Sequence, residues 1–258
     1  MQTRTEGIVL KTQKYGEADL IVTYLTSDKG IIRAFAKSPR KTKSRFGSSL
    51  EPLTHAKLSL WGKEQSSMPK ITQSDIINSF YQIRENYNDF VRLSKLSEIL
   101  LSLTPAEIPS KGLFSFFLNI LQFITSSGED RKDALHLIAQ VRLLATIGYA
   151  PRLGGCGKCG IESYDFYPDS GTTLCPKCAS TPQSQAKPFM RINKQIVHFY
   201  THSIEWPISK SNRLKPNDQT LLELLAVLDK HLSYLLSKKL RSSEFIKGAG
   251  RTRAGSYS

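Results

Sequence analysis

The first 80 residues alternate between short apolar runs and polar turns, and residues 56–60 show the strict two-residue alternation of a β-strand with one buried face. The tetrapeptide Ser27-Asp28-Lys29-Gly30 lies between two runs rich in β-branched and aromatic residues, and such a turn predicts a β-hairpin. Five runs fit the strand pattern: residues 7–10, 20–25, 31–36, 56–60 and 68–77. Five short strands in so short a stretch predict a small barrel of the five-stranded OB type.

After Phe80 the apolar residues recur every three or four positions, which indicates α-helices. The pair Thr104-Pro105 ends the first long helix, because proline disfavours helical backbone in the residue before it. Asp130 is the predicted N-cap of a later helix that ends at Gly148. The predicted helices cover residues 90–103, 113–124, 130–148, 192–200 and 220–236.

These elements predict an α+β protein in which a barrel is followed by an α-helical domain with an inserted four-cysteine zinc module. We expect a DNA-binding OB-fold domain over residues 1–79 and a helical domain in two parts, 80–151 and 182–247, on either side of the zinc module at 152–181. The small, polar and basic residues at 248–258 predict a disordered tail.

The chain has four cysteines in two tight pairs, with the spacing C-x₂-C-x₁₅-C-x₂-C. This spacing is typical of a structural zinc site, in which four thiolates leave the ion no open position for chemistry. The predicted zinc ligands are Cys156, Cys159, Cys175 and Cys178. Two disulfides are an alternative, but nothing in the sequence indicates secretion. A redox Cys-x-x-Cys pair fits the Gly-, Pro- and Thr-rich connector poorly, and an iron–sulfur cluster usually has other spacings.

A net charge of +14 implies a polyanionic partner, most often a nucleic acid and less often an anionic membrane surface. The basic segment, residues 37–45, holds five cations and no acid, and a basic loop between two strands suits contacts to phosphates. The DNA-binding candidates are Arg33, Lys37, Arg40, Lys41, Lys43 and Arg45. Solvated surface charge is the alternative for this segment.

Five aromatic residues near the predicted barrel could stack on nucleic-acid bases, although each could equally belong to the protein core. They are Tyr15, Tyr24, Phe35, Phe46 and Trp61.

The sequence signals for catalysis are weak, and the chain has no G-x-x-x-x-G-K-[ST] motif. Glu17 and Asp19 could hold Mg²⁺ for phosphodiester cleavage, but Gly and Asp in this setting are more typical of a turn. His198 and His202 have the i, i+4 spacing of a zinc protease motif without its glutamate, so we expect them to be partly exposed helix residues. The chain is therefore expected not to be an enzyme.

No apolar run approaches the ~18 residues that a membrane-spanning helix needs, and Arg4, Glu6, Lys11 and Lys14 would interrupt a signal peptide. Cysteines kept reduced for a metal ion favour the cytoplasm, and a DNA partner places the expected location at the nucleoid.

The order of these parts resembles the bacterial recombination and DNA-repair mediator family RecO, and the resemblance covers almost the whole chain. The stretches that carry it are residues 17–22, 25–30, 36–37, 43–45, 50–52, 148–151 leading into the first cysteine pair, and 238–245. One departure is Ser38-Pro39, where the family often has Lys-Gly after the third strand. Proline there should stiffen the segment.

The resemblance implies a non-enzymatic protein that binds single- and double-stranded DNA and anneals complementary strands. It also implies association with RecR, help in loading RecA onto strands coated by single-strand-binding protein, and contact with the acidic C-terminal tail of that coating protein. An apolar groove rimmed by cations is the physical requirement for such a tail, and Lys132, Arg142 and Arg152 are candidates for its rim. Because some family members lack the cysteines, the resemblance implies that zinc supports the fold.

Two other functional classes stay open on the residues alone. One is a zinc-ribbon adaptor that binds nucleic acid in transcription or translation, and the other is a metal-dependent nuclease that uses Glu17 and Asp19.

Overall fold

The computed structural model describes residues 1–39, 46–62, 68–180, 188–236, 240 and 242. The chain divides into two compact units, residues 1–126 and 127–258, and each is described by itself below. Within the described ranges, no helix is both long and apolar enough to cross a bilayer.

The first unit begins with a closed five-stranded barrel. Its strands are β1 (Gln2–Tyr15), β2 (Asp19–Thr26), β3 (Gly30–Ala36), β4 (His55–Trp61) and β5 (Lys70–Asn78). The strand order around the barrel is β1-β2-β3-β5-β4, and the long strand β1 closes it by pairing with β2 through its second half and with β4 through its first. The predicted five-stranded OB-type barrel is confirmed.

Alternate side chains of the strands point inward and form the barrel core. The core is apolar and includes Val9, Val22, Tyr24, Ala34 and Ile71, all completely buried. On the outer face of the barrel, the loop at Glu107 contacts β3, where Glu107 N–H donates a hydrogen bond to the main-chain oxygen of Ile31 (3.0 Å).

Three helices complete the first unit: α1 (Tyr81–Glu85), α2 (Tyr87–Leu103) and α3 (Lys111–Thr125). The side chain of Asn86 caps α2 by accepting from Asp89 N–H, and the side chain of Ser110 caps α3 by accepting from Leu113 N–H. Such caps satisfy backbone donors that have no partner within the helix. The apolar stripe of α3 is buried, with Phe117 and Leu121 completely inaccessible to solvent.

The second unit consists of helices packed beside a small four-stranded sheet. The helices are α4 (Glu129–Thr146), α5 (Pro176–Ala179), α6 (Lys194–Glu205) and α7 (Asp218–Leu235), with a 3₁₀ helix at Ile208–Arg213. The sheet has the order β6-β8-β7-β9, formed by Arg152–Cys156 (β6), Asp165–Tyr167 (β7), Thr172–Thr173 (β8) and Met190–Arg191 (β9). Asn193 and Asn217 cap α6 and α7 with their side chains.

The expected N-cap of α4 was wrong. Gly128 occupies the cap position without a side-chain hydrogen bond, and Asp130 lies in the first turn of the helix. A carboxylate in the first turn is still stabilising, because it faces the positive end of the helix dipole.

Candidate functional site

The outer face of the barrel carries two cations in one cross-strand row. Strand register places Lys11 of β1 opposite Thr23 of β2, and Thr23 opposite Arg33 of β3. Residues paired in this way point to the same face of a sheet, so Lys11 and Arg33 flank Thr23. Both cationic side chains are exposed. The row therefore places the Cα atoms of two cationic residues roughly 10 Å apart, two strand spacings along the barrel surface.

A β-bulge puts Lys11 on this face. The register of β1 against β2 shifts between Val9 and Lys11, so that Leu10 has no cross-strand partner. In a regular strand without this bulge, Lys11 would lie on the same face as Val9, two residues earlier, and would point inward. Sequence reasoning missed Lys11 as a DNA-binding candidate for this reason. Its polarity just after an apolar run was the one available signal.

The neighbouring row supplies aromatic surface. Gln13, Ile21 and Phe35 are paired across the same three strands. The ring of Tyr15 meets that of Phe35 edge to face, with centroids 5.9 Å apart and planes at 89°. Tyr15 is 56% exposed, so its ring is accessible for stacking.

The other predicted binding residues separate into three groups. Lys37 directly follows β3 and is exposed, whereas Arg40, Lys41, Lys43 and Arg45 lie outside the described residues. Tyr24 and Phe46 are core residues, since both are buried in the barrel interior. Trp61 is 60% exposed at the end of β4.

Asp19, the first residue of β2, accepts a structural hydrogen bond. The main-chain N–H of Ser38 donates to Asp19 Oδ1 at 2.7 Å, which ties the start of β2 to the segment that leaves β3. Ser38 has a positive φ of 55°, and this bond helps to hold that uncommon backbone conformation. The geometry favours the structural role of Asp19 over a Mg²⁺ site shared with Glu17.

The second unit brings all four cysteines together. Their Sγ atoms lie within 4.8 Å of one another, and those of Cys159 and Cys175 are 3.7 Å apart. Among the described residues, this is the one cluster of three or more possible ligand side chains close enough to share a metal ion. Four sulfurs placed ~2.3 Å from a central ion at tetrahedral angles would be about 3.8 Å apart. The cluster therefore fits a tetrahedral four-thiolate site.

Two tight backbone turns bring the sulfurs into place. The first cysteine pair is closed by Gly160 N–H donating to Cys156 O at 2.8 Å and by Cys156 N–H donating to Ile161 O at 2.8 Å. Gly155 and Gly160 have φ of 136° and 76°, which residues with a Cβ rarely adopt. The second pair begins α5, where Ala179 N–H donates to Cys175 O at 2.9 Å.

The backbone also prepares one sulfur to be a thiolate. Burial alone raises the pKa of Cys156, but hydrogen bonds from the backbone at Cys175, Cys159 and Lys158 outweigh it and lower the pKa to about 6. Hydrogen bonds with the thiols of Cys159 and Cys175 raise the pKa of Cys178 to about 12. Since a metal binds thiolates, filling this site requires the loss of protons from the other cysteines.

The cysteine module is packed against the helices of its own unit. The ring of His231 on α7 lies 6.2 Å from that of Phe166 on β7, and its Nε2 is 3.0 Å from Tyr149 O. From α6, the hydroxyl of Tyr200 donates to Pro151 O at 2.6 Å. These contacts make the module a structural part of the helical unit.

An apolar groove of about 590 Å³ lies between α6 and the segment that leads into α7. Phe199, Trp206, Leu214 and Pro216 form its apolar lining. The groove is also lined by the basic residues Lys194, Arg213 and Lys215 and by His198. None of the described residues that line it is acidic.

None of the three cations expected around such a groove lines it. Arg142 is half-buried and donates to Trp206 O and to Ser211 Oγ, so it braces the 3₁₀ segment behind the groove. Lys132 pairs with Glu129 at 2.5 Å, and Arg152 is an exposed residue of β6. The cations that do line the groove lie on α6, at the end of the 3₁₀ helix and in the segment before α7. These segments are separate in the sequence, so the pattern of one helix cannot reveal that their cations share a groove.

Together, these features define a class of protein: an OB-type barrel with an exposed basic and aromatic face, joined to a helical unit that carries a four-thiolate cluster. The family model for the N-terminal part of recombination protein O matches residues 1–80, and that for its C-terminal part matches residues 84–244. The chain belongs to the RecO family of DNA repair and recombination proteins.

Curated relatives agree over nearly the full length of both chains. DNA repair protein RecO of Thermodesulfovibrio yellowstonii is 41% identical over 239 residues, which covers 92% of this chain and 94% of the relative. The protein of the same name from Dehalococcoides mccartyi is 30% identical over 240 residues, covering 92% and 91%. That from Acetivibrio thermocellus is 28% identical over 254 residues, covering 97% and 98%. The expected family is confirmed.

Proposed function

We propose that this protein binds single- and double-stranded DNA through the outer face of its barrel and anneals complementary strands. With RecR, it helps to load RecA onto strands coated by single-strand-binding protein. The observation that carries the DNA contact is the row of Lys11 and Arg33 beside the Tyr15–Phe35 pair, in a member of a DNA-repair family. Cations hold the phosphates and the exposed ring offers a stacking surface for bases.

The proposed mechanism needs no covalent chemistry. Two complementary strands repel each other through their phosphates, and a basic protein surface lowers that repulsion by displacing counterions. Lys37 and the candidates Arg40, Lys41, Lys43 and Arg45 would extend this surface from the end of β3. If about five of these cations meet single-stranded phosphates, the slope of log affinity against log salt concentration is about −3.5.

Strand pairing measured by fluorescence energy transfer tests this mechanism. Replacing Arg40, Lys41, Lys43 and Arg45 by alanine should reduce both DNA binding and annealing while the melting temperature stays unchanged. Annealing at the wild-type rate by this variant would overturn the proposed role of the basic segment. End-labelled DNA incubated with Mg²⁺ should keep its length, and shortened DNA would instead support a nuclease.

We further propose that the four cysteines hold one Zn²⁺ ion with a structural role. The donor set is soft, the sulfur spacing fits a tetrahedron, and four protein ligands leave no open position for a substrate. Metal analysis of the purified protein should give one zinc per chain. If the analysis instead finds iron and the protein absorbs visible light, the cysteines hold an iron–sulfur cluster.

The apolar groove is the proposed docking place for the acidic tail of single-strand-binding protein. An acidic peptide that ends in an apolar residue matches a groove with an apolar floor at Phe199 and Trp206 and cations at Arg213 and Lys215. Arg213 and Lys215 are exposed and can reach the carboxylates without burying an unpaired charge.

Fluorescence anisotropy with a labelled acidic peptide of this kind tests the docking place. Lys215→Glu should weaken peptide binding at least tenfold. Lys230→Glu, a change of the same type on the exposed surface of α7, should leave the affinity within about twofold. Equal affinities for the two variants would remove the groove from the binding site.

A further inference from the structure

Two histidines on α6 lie in direct contact. His198 and His202 are one helical turn apart, and their Nε2 atoms are 3.0 Å from each other. The rings are nearly perpendicular, with centroids 4.1 Å apart and an interplanar angle of 84°. His198 is exposed, while the side chain of His202 keeps 25% of its accessible surface. Two imidazole nitrogens therefore lie beside each other on the surface of the helix.

The surroundings of His202 favour one tautomer. Its Nδ1 is buried without a hydrogen-bond partner and lies 3.8 Å from Glu205 Oε2. A proton on Nδ1 faces that carboxylate favourably, whereas a lone pair there would be repelled by it. The Nδ1–H tautomer leaves a lone pair on Nε2, which is the state that a metal ligand requires. Histidines that bind metals commonly donate the other ring N–H to a carboxylate, and Glu205 is the carboxylate near Nδ1 of His202.

The neighbouring tryptophan holds the His202 ring. Trp206 stacks on it with ring centroids 4.7 Å apart and an interplanar angle of 24°. This contact limits rotation of the imidazole, so less conformational freedom is lost when a ligand binds. It also places a fluorescent side chain beside the nitrogen pair.

The distance between the two nitrogens indicates the preferred geometry. With metal–nitrogen bonds of ~2.05 Å, nitrogens 3.0 Å apart subtend an angle of about 94° at the ion. Cis positions of a square-planar or octahedral ion have angles of about 90°, while a tetrahedral ion would need the nitrogens about 3.35 Å apart. The spacing therefore fits two cis positions of a square-planar or octahedral ion such as Ni²⁺ or Cu²⁺.

We propose that His198 and His202 form a second metal site, separate from the cysteine cluster, that binds a divalent transition-metal ion such as Ni²⁺ through both Nε2 atoms. Glu205 is the positioning residue that orients the His202 ring. The site supplies two protein ligands and leaves the remaining coordination positions to water or to a ligand from solution. The proposal does not depend on DNA binding, and the site shares His198 and Trp206 with the lining of the apolar groove.

A titration of zinc-loaded protein with NiCl₂, followed by tryptophan fluorescence, tests the site. Ni²⁺ bound to His202 should quench Trp206 in a saturable way with one ion per chain, while Trp61 in the barrel supplies a constant background. His198→Gln should weaken the apparent affinity at least tenfold, because it removes one of two ligands while changing an exposed side chain. Glu205→Gln should weaken it less, by severalfold.

Two outcomes would overturn the proposal. One is the absence of saturable quenching at submillimolar Ni²⁺. The contact between the two imidazoles would then be a hydrogen bond without a role in metal binding. The other is identical quenching of the wild type and His198→Gln. If zinc is also released or thiolate-to-nickel absorption appears in that case, the ion has entered the cysteine cluster instead.

Discussion

The double substitution Lys11→Ala and Arg33→Ala tests the DNA-binding face of the barrel directly. Both side chains are exposed and flank Thr23 across three paired strands, so their removal leaves the apolar interior untouched. We expect the variant to fold normally and to bind single-stranded DNA more weakly, because two phosphate contacts are lost.

The size of the effect follows from counterion release. Each contact to a single strand contributes about 0.7 to the slope of log affinity against log salt, so the slope should become less negative by about 1.4. If the affinity extrapolated to 1 M salt is unchanged, the same two contacts account for roughly a 25-fold loss of affinity at 0.1 M. At higher salt, the difference between variant and wild type should shrink.

A matched control lies on another part of the same barrel. Arg4 and Lys57 are also exposed, but Lys57 lies in a row between Glu6 and Asp75, whose carboxylates offset its charge. Replacing Arg4 and Lys57 by alanine also removes one arginine and one lysine, and it should change the slope by less than about 0.3.

Anisotropy titrations with labelled oligonucleotides between 50 and 200 mM salt measure both slopes. Equal changes of slope in the two double variants would refute the assignment of the DNA-binding face, because net charge and not the position of the cations would then determine binding. A slope of the Lys11/Arg33 variant equal to that of the wild type would refute the two phosphate contacts.

Three further predictions concern stability and the metal. Gly30→Ala should lower the melting temperature far more than Gly16→Ala. Both glycines have a positive φ, which costs about 1 kcal/mol when alanine adopts it. A Cβ at Gly30 would also lie 2.3 Å from Ile108 O, whereas a Cβ at Gly16 would have no atom within 4 Å. Cys159→Ser should reduce zinc content and melting temperature while DNA affinity stays within about twofold, and a DNA defect as large as the loss of stability would contradict a purely structural ion. Zinc affinity should fall as pH falls, because bound zinc excludes protons from the thiols, and the fall should become steeper below about pH 6, where Cys156 also takes up a proton. A competition assay with a chelator over pH 5.5–8 measures this, and a pH-independent affinity would count against thiolate ligation.

The cysteine site shows how far sequence spacing can go. The spacing of the two Cys-x-x-Cys pairs was enough to identify the four ligands, because two intervening residues allow both sulfurs of a pair to lie on one side of a turn. The glycines around the first pair also allow the positive φ that its turn needs. Sequence could not show that His231 and Tyr200, far along the chain, hold this module against α6 and α7.

The DNA-binding face shows where sequence reasoning stopped. Arg33 and Lys37 are recognisable from their charge next to a β-rich run, but Lys11 reaches the same face through a bulge that no alternation pattern predicts. Tyr24 and Tyr15 are equally plausible stacking residues in the sequence, yet one is completely buried and the other 56% exposed. Which face a strand residue occupies depends on register, and register is set by pairing with other strands.

The sequence by itself determined the local properties of this protein: the strand and helix periods, the charge, the four-cysteine ligand set and the family. These properties depend on residues that are close together in the chain. The tertiary structure decided which residues act together. The bulged pairing of β1 with β2 and the pairing of β2 with β3 set the row of Lys11 and Arg33. The packing of α6 beside the segment before α7 formed the apolar groove. Neither arrangement can be read from one segment, because each joins side chains whose neighbourhood exists only after distant segments have packed together.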